Sequence, residues 1–590
     1  MDDISVTTRT SSGALSNLIA DLEQCKAPTA AQPIGAAADE QPEGGLKRTG
    51  SDTRFDATPH DSDFVTGVNA GIHPISVGGF TIGLPTADMA LPNPQPGEEV
   101  DTLAMWAAGE GGDGEADDKV LTLRSVPFRV VRTQYAVRGC VVTKSWELRR
   151  QLKEHPGSLP FDDIVAANIG NPQAIGQPPM TFNRQVLSCL AYPPLIDMNP
   201  SGYQPDVLER ARRYLAAFPN VGAYSHSKGV EVFRKDIAKW FEQRDGIKTD
   251  PEHLFLTDGA SIAVHSIMEL LISNATDGVL IPVPQYPLYS ATIARLGGQA
   301  VGYFLDEESE WALHDEELER AYRTYTQQGG RIRALVVINP GNPTGSLLSR
   351  DKMKEVVRFC ERRRIVLIAD EVYQDNVYTD DQQFISFRKV IASMGSHLEV
   401  FSMHSSSKGL TGECGVRGGI ILADNIQPSV LEQLYKLFSI SLCANTLGQA
   451  MIASILTPPK PEEPSYDTYK AERDEIYLSL RRRACMAYER LNQMEGVRCN
   501  PVKGAMYAFP KLTLPSKAIQ AARQANQLPD LFYCLQLLQH TGVMVVPGSG
   551  FGQLRGSYHF RITILPEENR LANVFDRIQA FHTEFLERYT

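Results

Sequence analysis

Among the 590 residues no run of apolar side chains approaches the roughly 20 needed to span a bilayer, which argues against a membrane role. The nine Cys are scattered singly and no two of them form a C-x-x-C pair. That spacing excludes the common zinc-site and disulfide-framework patterns, leaves no metal expected, and fits a reducing compartment. A clustered basic face is missing too, so no nucleic-acid partner is expected. Residues 1–118 hold only 5 Lys/Arg against 20 Asp/Glu, a net charge of -15. The other 472 residues therefore sum to about +3 of the chain's -12. Few Arg and many acids are the reverse of a transit peptide, so the expected location is cytoplasmic, with a mitochondrial one kept as the alternative.

Residues 1–118 are also rich in Gly, Pro, Ala, Ser and Thr, as in Gly35-Ala36-Ala37-Ala38-Asp39-Glu40. Such a composition cannot bury enough apolar surface to offset its ordering entropy, and the segment is expected to be a disordered acidic extension.

From Lys119 the texture changes. Apolar runs of strand length alternate with helical patterns, which predicts an α/β protein with a mainly parallel sheet wrapped by helices. Five runs matter: Leu254–Leu256, Gly278–Ile281, Ala334–Ile338, Ile365–Ala369 and Leu398–Phe401. Each ends in a turn rich in Gly, Pro, Asp, Asn or Ser. Ligands of open α/β sheets bind at the carboxyl ends of the strands, so the chemistry is expected just after these runs.

The first run leads into Thr257-Asp258-Gly259-Ala260-Ser261 and a helical pattern, a turn suited to a phosphate on free backbone N–H groups. The second leads into Pro284-Gln285-Tyr286-Pro287-Leu288-Tyr289, which holds aromatics where a flat heterocycle could stack. The third leads into Asn339-Pro340-Gly341-Asn342-Pro343-Thr344-Gly345, a preset turn that fixes an amide. The fourth ends in Asp370 with Tyr373 three residues on. A carboxylate at the end of an apolar strand is costly without a cation, and a protonated pyridine nitrogen is a suitable one. The fifth opens into Ser405-Ser406-Ser407-Lys408-Gly409, hydroxyls around one amine, followed by Arg417 among glycines. Lys is the residue of Schiff bases, and a guanidinium can grip a phosphate. Taken singly, each signal reads as well as an ordinary turn, a core aromatic, a helix cap or a surface lysine. Their succession at consecutive strand ends is what points to one site.

On these residues the sequence resembles the class I (fold-type I) pyridoxal-phosphate-dependent aminotransferases, and closely the branch that acts on alanine. The likeness runs from Lys119 to the C-terminus. Its most specific stretches are Asn168-Ile169-Gly170-Asn171-Pro172-Gln173, Ala369-Asp370-Glu371-Val372-Tyr373-Gln374, Gly412-Glu413-Cys414-Gly415, Gly504-Ala505-Met506-Tyr507 and Pro547-Gly548-Ser549-Gly550-Phe551. The resemblance implies a large domain over about 200–450 with a mainly parallel seven-stranded sheet flanked by helices. It adds a smaller α/β domain from about 119–199 and 451–590. It implies pyridoxal 5'-phosphate as cofactor, held as an aldimine on Lys408. Asp370 would pair with the pyridine nitrogen, Asn342 and Tyr373 with the ring's phenolic oxygen, and Tyr286 would stack on the ring. Gly259, Ala260, Ser261, Ser405, Ser407 and Arg417 would surround the phosphate. Tyr224 would reach a neighbouring subunit's phosphate, which implies a homodimer. Arg561 would clamp the substrate carboxylate, with Gly170 and Asn342 beside it. Asp258 stands where the family carries Thr, and its side chain is expected to point away from the phosphate. The implied reaction is L-alanine + 2-oxoglutarate = pyruvate + L-glutamate, with ping-pong kinetics. Another reaction on the same fold, or a non-catalytic cofactor-binding regulator, are the alternatives.

Overall fold

The computed structural model describes residues 76–77, 80–81, 121, 125–135, 137 and 139–590. The extension expected over 1–118 lies almost wholly outside them. Its described part is the pair Ser76–Val77 and Phe80–Thr81, which run antiparallel to each other in a unit of their own.

The remainder is built on a seven-stranded sheet. In chain order its strands are β1 (Leu254–Asp258), β2 (Asp277–Val283), β3 (Gln299–Phe304), β4 (Arg331–Ile338), β5 (Val366–Asp370), β6 (Val400–Ser405) and β7 (Gly418–Asp424). In space they run β1-β7-β6-β5-β4-β2-β3. Every pairing is parallel except those of β7, which is antiparallel to both β1 and β6. Helices cover both faces, so strands buried on two sides read as unbroken apolar runs. All seven residues of β2 and all six of β6 are buried. One face packs on helices Ala260–Leu271, Leu288–Leu296 and Pro428–Ile440, and the other on Asp315–Gln327, Arg350–Arg363 and Phe387–Ser393.

A smaller antiparallel sheet comes from the C-terminal part: β8 (Val497–Arg498), β9 (Tyr507–Ala508), β10 (Lys511–Leu512), β11 (Val546–Pro547) and β12 (Tyr558–Thr563). The longest strand, β12, pairs with β9, β10 and β11. Helices Tyr466–Asn492, Pro529–Thr541 and Glu568–Tyr589 pack on it around Tyr533, Phe560, Ile562, Phe575 and Phe581. Among the described residues no helix is long and apolar enough to cross a membrane.

The five apolar runs all fall in strands of the large sheet, with shifted ends. Leu398 and Glu399 precede β6, which instead takes in Ser402, His404 and Ser405. The sequence reading passed over β3 and β7. β3 is an edge strand interrupted by Gly302, and β7 opens on two glycines that read as a loop.

Candidate active site

The carboxyl ends of β1, β5 and β6 and the start of β7 converge, because Gly418 of β7 lies opposite Asp258 and Gly419 opposite Ser405. Between them lies a cradle. Gly259 takes φ +79° and caps helix Ala260–Leu271, whose first N–H groups have no intrahelical acceptor. Arg417 leans over this turn: one Nη donates to the Asp258 carbonyl at 3.0 Å, the other to the Cys414 carbonyl at 2.9 Å and to Ser407 Oγ at 3.4 Å. A Cβ on Gly259 would strike the Arg417 guanidinium. Ser405 Oγ donates to the Gly418 carbonyl at 3.1 Å and accepts the Ser407 N–H at 3.1 Å. Gly259, Ala260, Ser261, Ser405, Ser407 and Arg417 thus share one corner of the sheet, which offers N–H, hydroxyl and guanidinium donors to an anion. The Asp258 carboxylate is engaged by the Asn445 N–H at 2.7 Å.

Asp370 closes β5. Its buried carboxylate accepts from the Tyr289 hydroxyl at 2.7 Å and from the Val372 N–H at 3.4 Å. Burial pushes the carboxyl up from the ordinary Asp value, against the pull of the Tyr289 bond. Such a group calls for a buried cation.

Lys408 follows β6 by three residues and is half-buried. Its ammonium donates to the Gly170 carbonyl at 2.7 Å. The loop that carries Gly170 is tied to the segment after Lys408. Gln173 Nε2 donates to the Thr411 carbonyl at 3.2 Å and Gln177 Nε2 to the Leu410 carbonyl at 2.8 Å. Arg184 grips both oxygens of the buried Glu413 carboxylate, at 2.7 and 2.8 Å, and also Gln173 Oε1 at 2.8 Å. Asn376 receives the Gly409 N–H at 3.0 Å and returns a bond to its carbonyl.

On the small sheet, β12 presents Arg561, which is only 1% exposed. One Nη donates to Asn342 Oδ1 at 3.0 Å and the other to the Asn168 carbonyl at 2.5 Å, while Nε has no partner among the described residues. The guanidinium lies 4.1 Å from the centroid of the Tyr507 ring and 4.7 Å from that of Phe551. No carboxylate of the described residues pairs with it. A buried guanidinium held by neutral groups is a receptor for an anionic ligand. From Arg561 a chain of contacts leads back to the large sheet: Asn342 Nδ2 donates to the Tyr373 hydroxyl at 3.5 Å, and Tyr373 to the Tyr507 hydroxyl at 3.4 Å.

Tyr286 shares a 2.8 Å hydrogen bond with the Tyr135 hydroxyl. Tyr224 stands apart, 77% exposed. Sequence reasoning missed Tyr289, Tyr135 and Tyr507. Tyr289 sits in the same aromatic turn as Tyr286, and nothing in the pattern says which of the two meets Asp370. Tyr135 belongs to a segment without a recognisable period. Tyr507 lies in a stretch noted for its likeness alone.

The family description "Aminotransferase class I and II" matches residues 197–578. The chain is 48% identical over 476 residues to "Alanine aminotransferase 1, mitochondrial" of Arabidopsis thaliana, covering 80% of this chain and 88% of the relative. It is 45% identical over 478 residues to "Glutamate--glyoxylate aminotransferase 2" of the same organism, covering 80% and 98%. Among solved structures, "Alanine aminotransferase from Pyrococcus furiosus" superposes with a TM-score of 0.61 at 26% identity, over 77% of this chain and 99% of that one.

The chain belongs to the class I and II aminotransferases, with the α/β fold of their fold type I. It is an enzyme of amino acids and 2-oxo acids whose cofactor is pyridoxal 5'-phosphate. The residues present fit that group. A buried carboxylate in want of a cation stands at β5, an anion cradle that a Cβ on Gly259 would fill stands at β1, and a half-buried amine stands at Lys408.

Proposed function

We propose that the chain exchanges the amino group of L-alanine with 2-oxoglutarate, giving pyruvate and L-glutamate. The observation that carries the reading is the buried Arg561 guanidinium, unpaired with any described carboxylate and linked through Asn342 and Tyr373 to the Lys408 side of the site. The names of the relatives at 45–48% identity support alanine as the amino donor.

In this reading Gly259, Ala260, Ser261, Ser405, Ser407 and Arg417 hold the cofactor phosphate, Asp370 its ring nitrogen, Asn342 and Tyr373 its phenolic oxygen, and Tyr286 its face. Bound there, the cofactor supplies an electrophilic carbon and an electron-withdrawing ring. The protein does the rest. Arg561 would bind the α-carboxylate of either substrate by two parallel hydrogen bonds and so hold the α-carbon in one orientation. Lys408 Nζ, as a free amine, would take the α-proton of the bound amino acid as general base and, in the reverse half, would give a proton back to the α-carbon of the product amino acid as general acid. Such positioned proton transfer is worth roughly 10²–10⁴-fold. The Gly170 carbonyl holds the amine near its post while it is charged. Both substrates use the one Arg561 site in turn, so ping-pong kinetics are expected.

Two further assignments belong to the same reading. The segment 200–450 forms the cofactor-binding domain, and 119–199 with 451–590 the smaller one. The exposed Tyr224, Ile440 and Leu442 lie on neighbouring segments, since Ser227 Oγ donates to the Leu442 carbonyl at 2.7 Å, and they suit a homodimer face. The likeness to a glutamate–glyoxylate enzyme favours a second reading in which glyoxylate replaces pyruvate. The test is a coupled assay of the purified chain. Pyruvate formed from alanine and 2-oxoglutarate, and lost in Lys408→Ala, supports the proposal. Turnover with glutamate and glyoxylate but none with alanine would move it to the second reading.

A further inference from the structure

Tyr507 is drawn into the site by the register of the small sheet. It pairs with Thr563 on β12, which makes it the diagonal neighbour of Arg561 on the same face. Its ring lies under the guanidinium at 4.1 Å, and its hydroxyl reaches the Tyr373 hydroxyl at 3.4 Å. The same hydroxyl fills the space a Cβ on Gly170 would take, a position 3.2 Å from Lys408 Nζ. One phenol thus touches the seat of the substrate carboxylate, the amine side of the site and the phenol that the proposed function sets against the cofactor's ring oxygen. A phenol has one proton to donate. Tyr373 spends that proton on Tyr507 in the arrangement seen, so less of it is free for the ring oxygen.

We propose that Tyr507 is a positioning residue of this reaction, its hydroxyl competing for the Tyr373 proton and so setting the protonation of the cofactor-bearing centre, and its ring seating Arg561. The inference rests on the cofactor placement of the proposed function. The groups that face Tyr507 are Tyr373 from the turn after β5, Lys408 and Cys414 from the loop after β6, Tyr286 from the loop after β2 and Arg561 from β12. Burial pushes the Tyr507 phenol up, but Lys408, Arg561 and the Tyr373 bond outweigh it and hold it below the usual range. Tyr373 goes the opposite way, well above it, through burial and the neighbouring Tyr507. Within the pair, Tyr507 is therefore the acceptor.

Two substitutions separate the two parts. Tyr507→Phe keeps the ring and frees the Tyr373 proton for the cofactor's ring oxygen. The midpoint of the pH titration of the bound cofactor's visible band should fall by about 0.4 to 1 pH unit, the worth of one hydrogen bond. KM for alanine and 2-oxoglutarate should stay within about twofold, since the ring face remains. Tyr507→Leu removes the ring as well and should raise both KM values about 3- to 30-fold. An unmoved midpoint in Tyr507→Phe, or equal KM rises in the two variants, overturns the inference. Absence of a visible band in the unaltered protein supplied with pyridoxal phosphate would instead overturn the proposed function on which it stands.

Discussion

Arg561→Lys tests how the site orders its substrate. The unaltered guanidinium offers a carboxylate two parallel donors while keeping Asn342 and the Asn168 carbonyl as its own partners. It also lies against the rings of Tyr507 and Phe551. An ammonium on a shorter stem keeps the charge but loses the fork and the stacking. One charge-assisted hydrogen bond is worth about 1.5–3 kcal/mol and the ring contact about 0.5–2. A total of about 2–5 kcal/mol converts, at 1.4 kcal/mol per tenfold, to roughly a 30- to 4,000-fold drop in kcat/KM. The drop should fall on both half-reactions, because amino acid and oxo acid use the same guanidinium in turn. The cofactor corner at β1 and β7 is untouched, so the visible band of the bound cofactor should persist. The assay is half-reaction kinetics by absorbance, with alanine and with 2-oxoglutarate separately. Unchanged KM for both substrates would refute the role given to Arg561.

Gly170→Ala places a methyl on the Tyr507 hydroxyl and 3.2 Å from Lys408 Nζ. Overpacking of this kind costs typically about 1–3 kcal/mol. We expect a roughly 5- to 100-fold loss of kcat/KM with the fold retained by circular dichroism, and wild-type kinetics would contradict the close approach. His404, on β6, is buried with no hydrogen-bond partner among the described residues for either ring nitrogen and stacks on Trp240 at 5.8 Å. Burial, with Arg244 nearby, pushes it down to about 3. The folded ring is then neutral while the unfolded one charges below its ordinary value near 6.5, so the unfolded chain binds more protons between pH 6.5 and 3. His404 should withdraw stability as pH falls through that window, by up to about 1.4 kcal/mol per unit. Melting temperatures of His404→Phe between pH 7.5 and 4.5 should decline less than those of the unaltered chain, and identical slopes would count against it.

The strand ends were legible in the sequence because a sheet covered on both faces needs long apolar runs. A polar residue at the end of such a run then stands out, as Asp370 does after Ile365–Ala369. Gly259 and Arg417 were readable as an anion corner, yet only the antiparallel return of β7 brings them together, and its glycine-led start hid that strand. Arg561 was legible only by resemblance. Nothing in His559-Phe560-Arg561 tells that three strands of the small sheet meet there, or that the Asn168 carbonyl would face it. Tyr289 and Tyr507 were missed because their partners, Asp370 and Tyr373, lie 81 and 134 residues away. Side-chain meetings at such separations are products of the fold and leave no local period.

The central claim is that one amine, on Lys408, carries the cofactor. Borohydride reduction of the protein loaded with pyridoxal phosphate, followed by peptide mapping, tests it directly. One reduced pyridoxyl label per chain is expected on the peptide containing Ser405–Gly409, at Lys408. A label fixed on any other lysine, or none fixed at all, would contradict it.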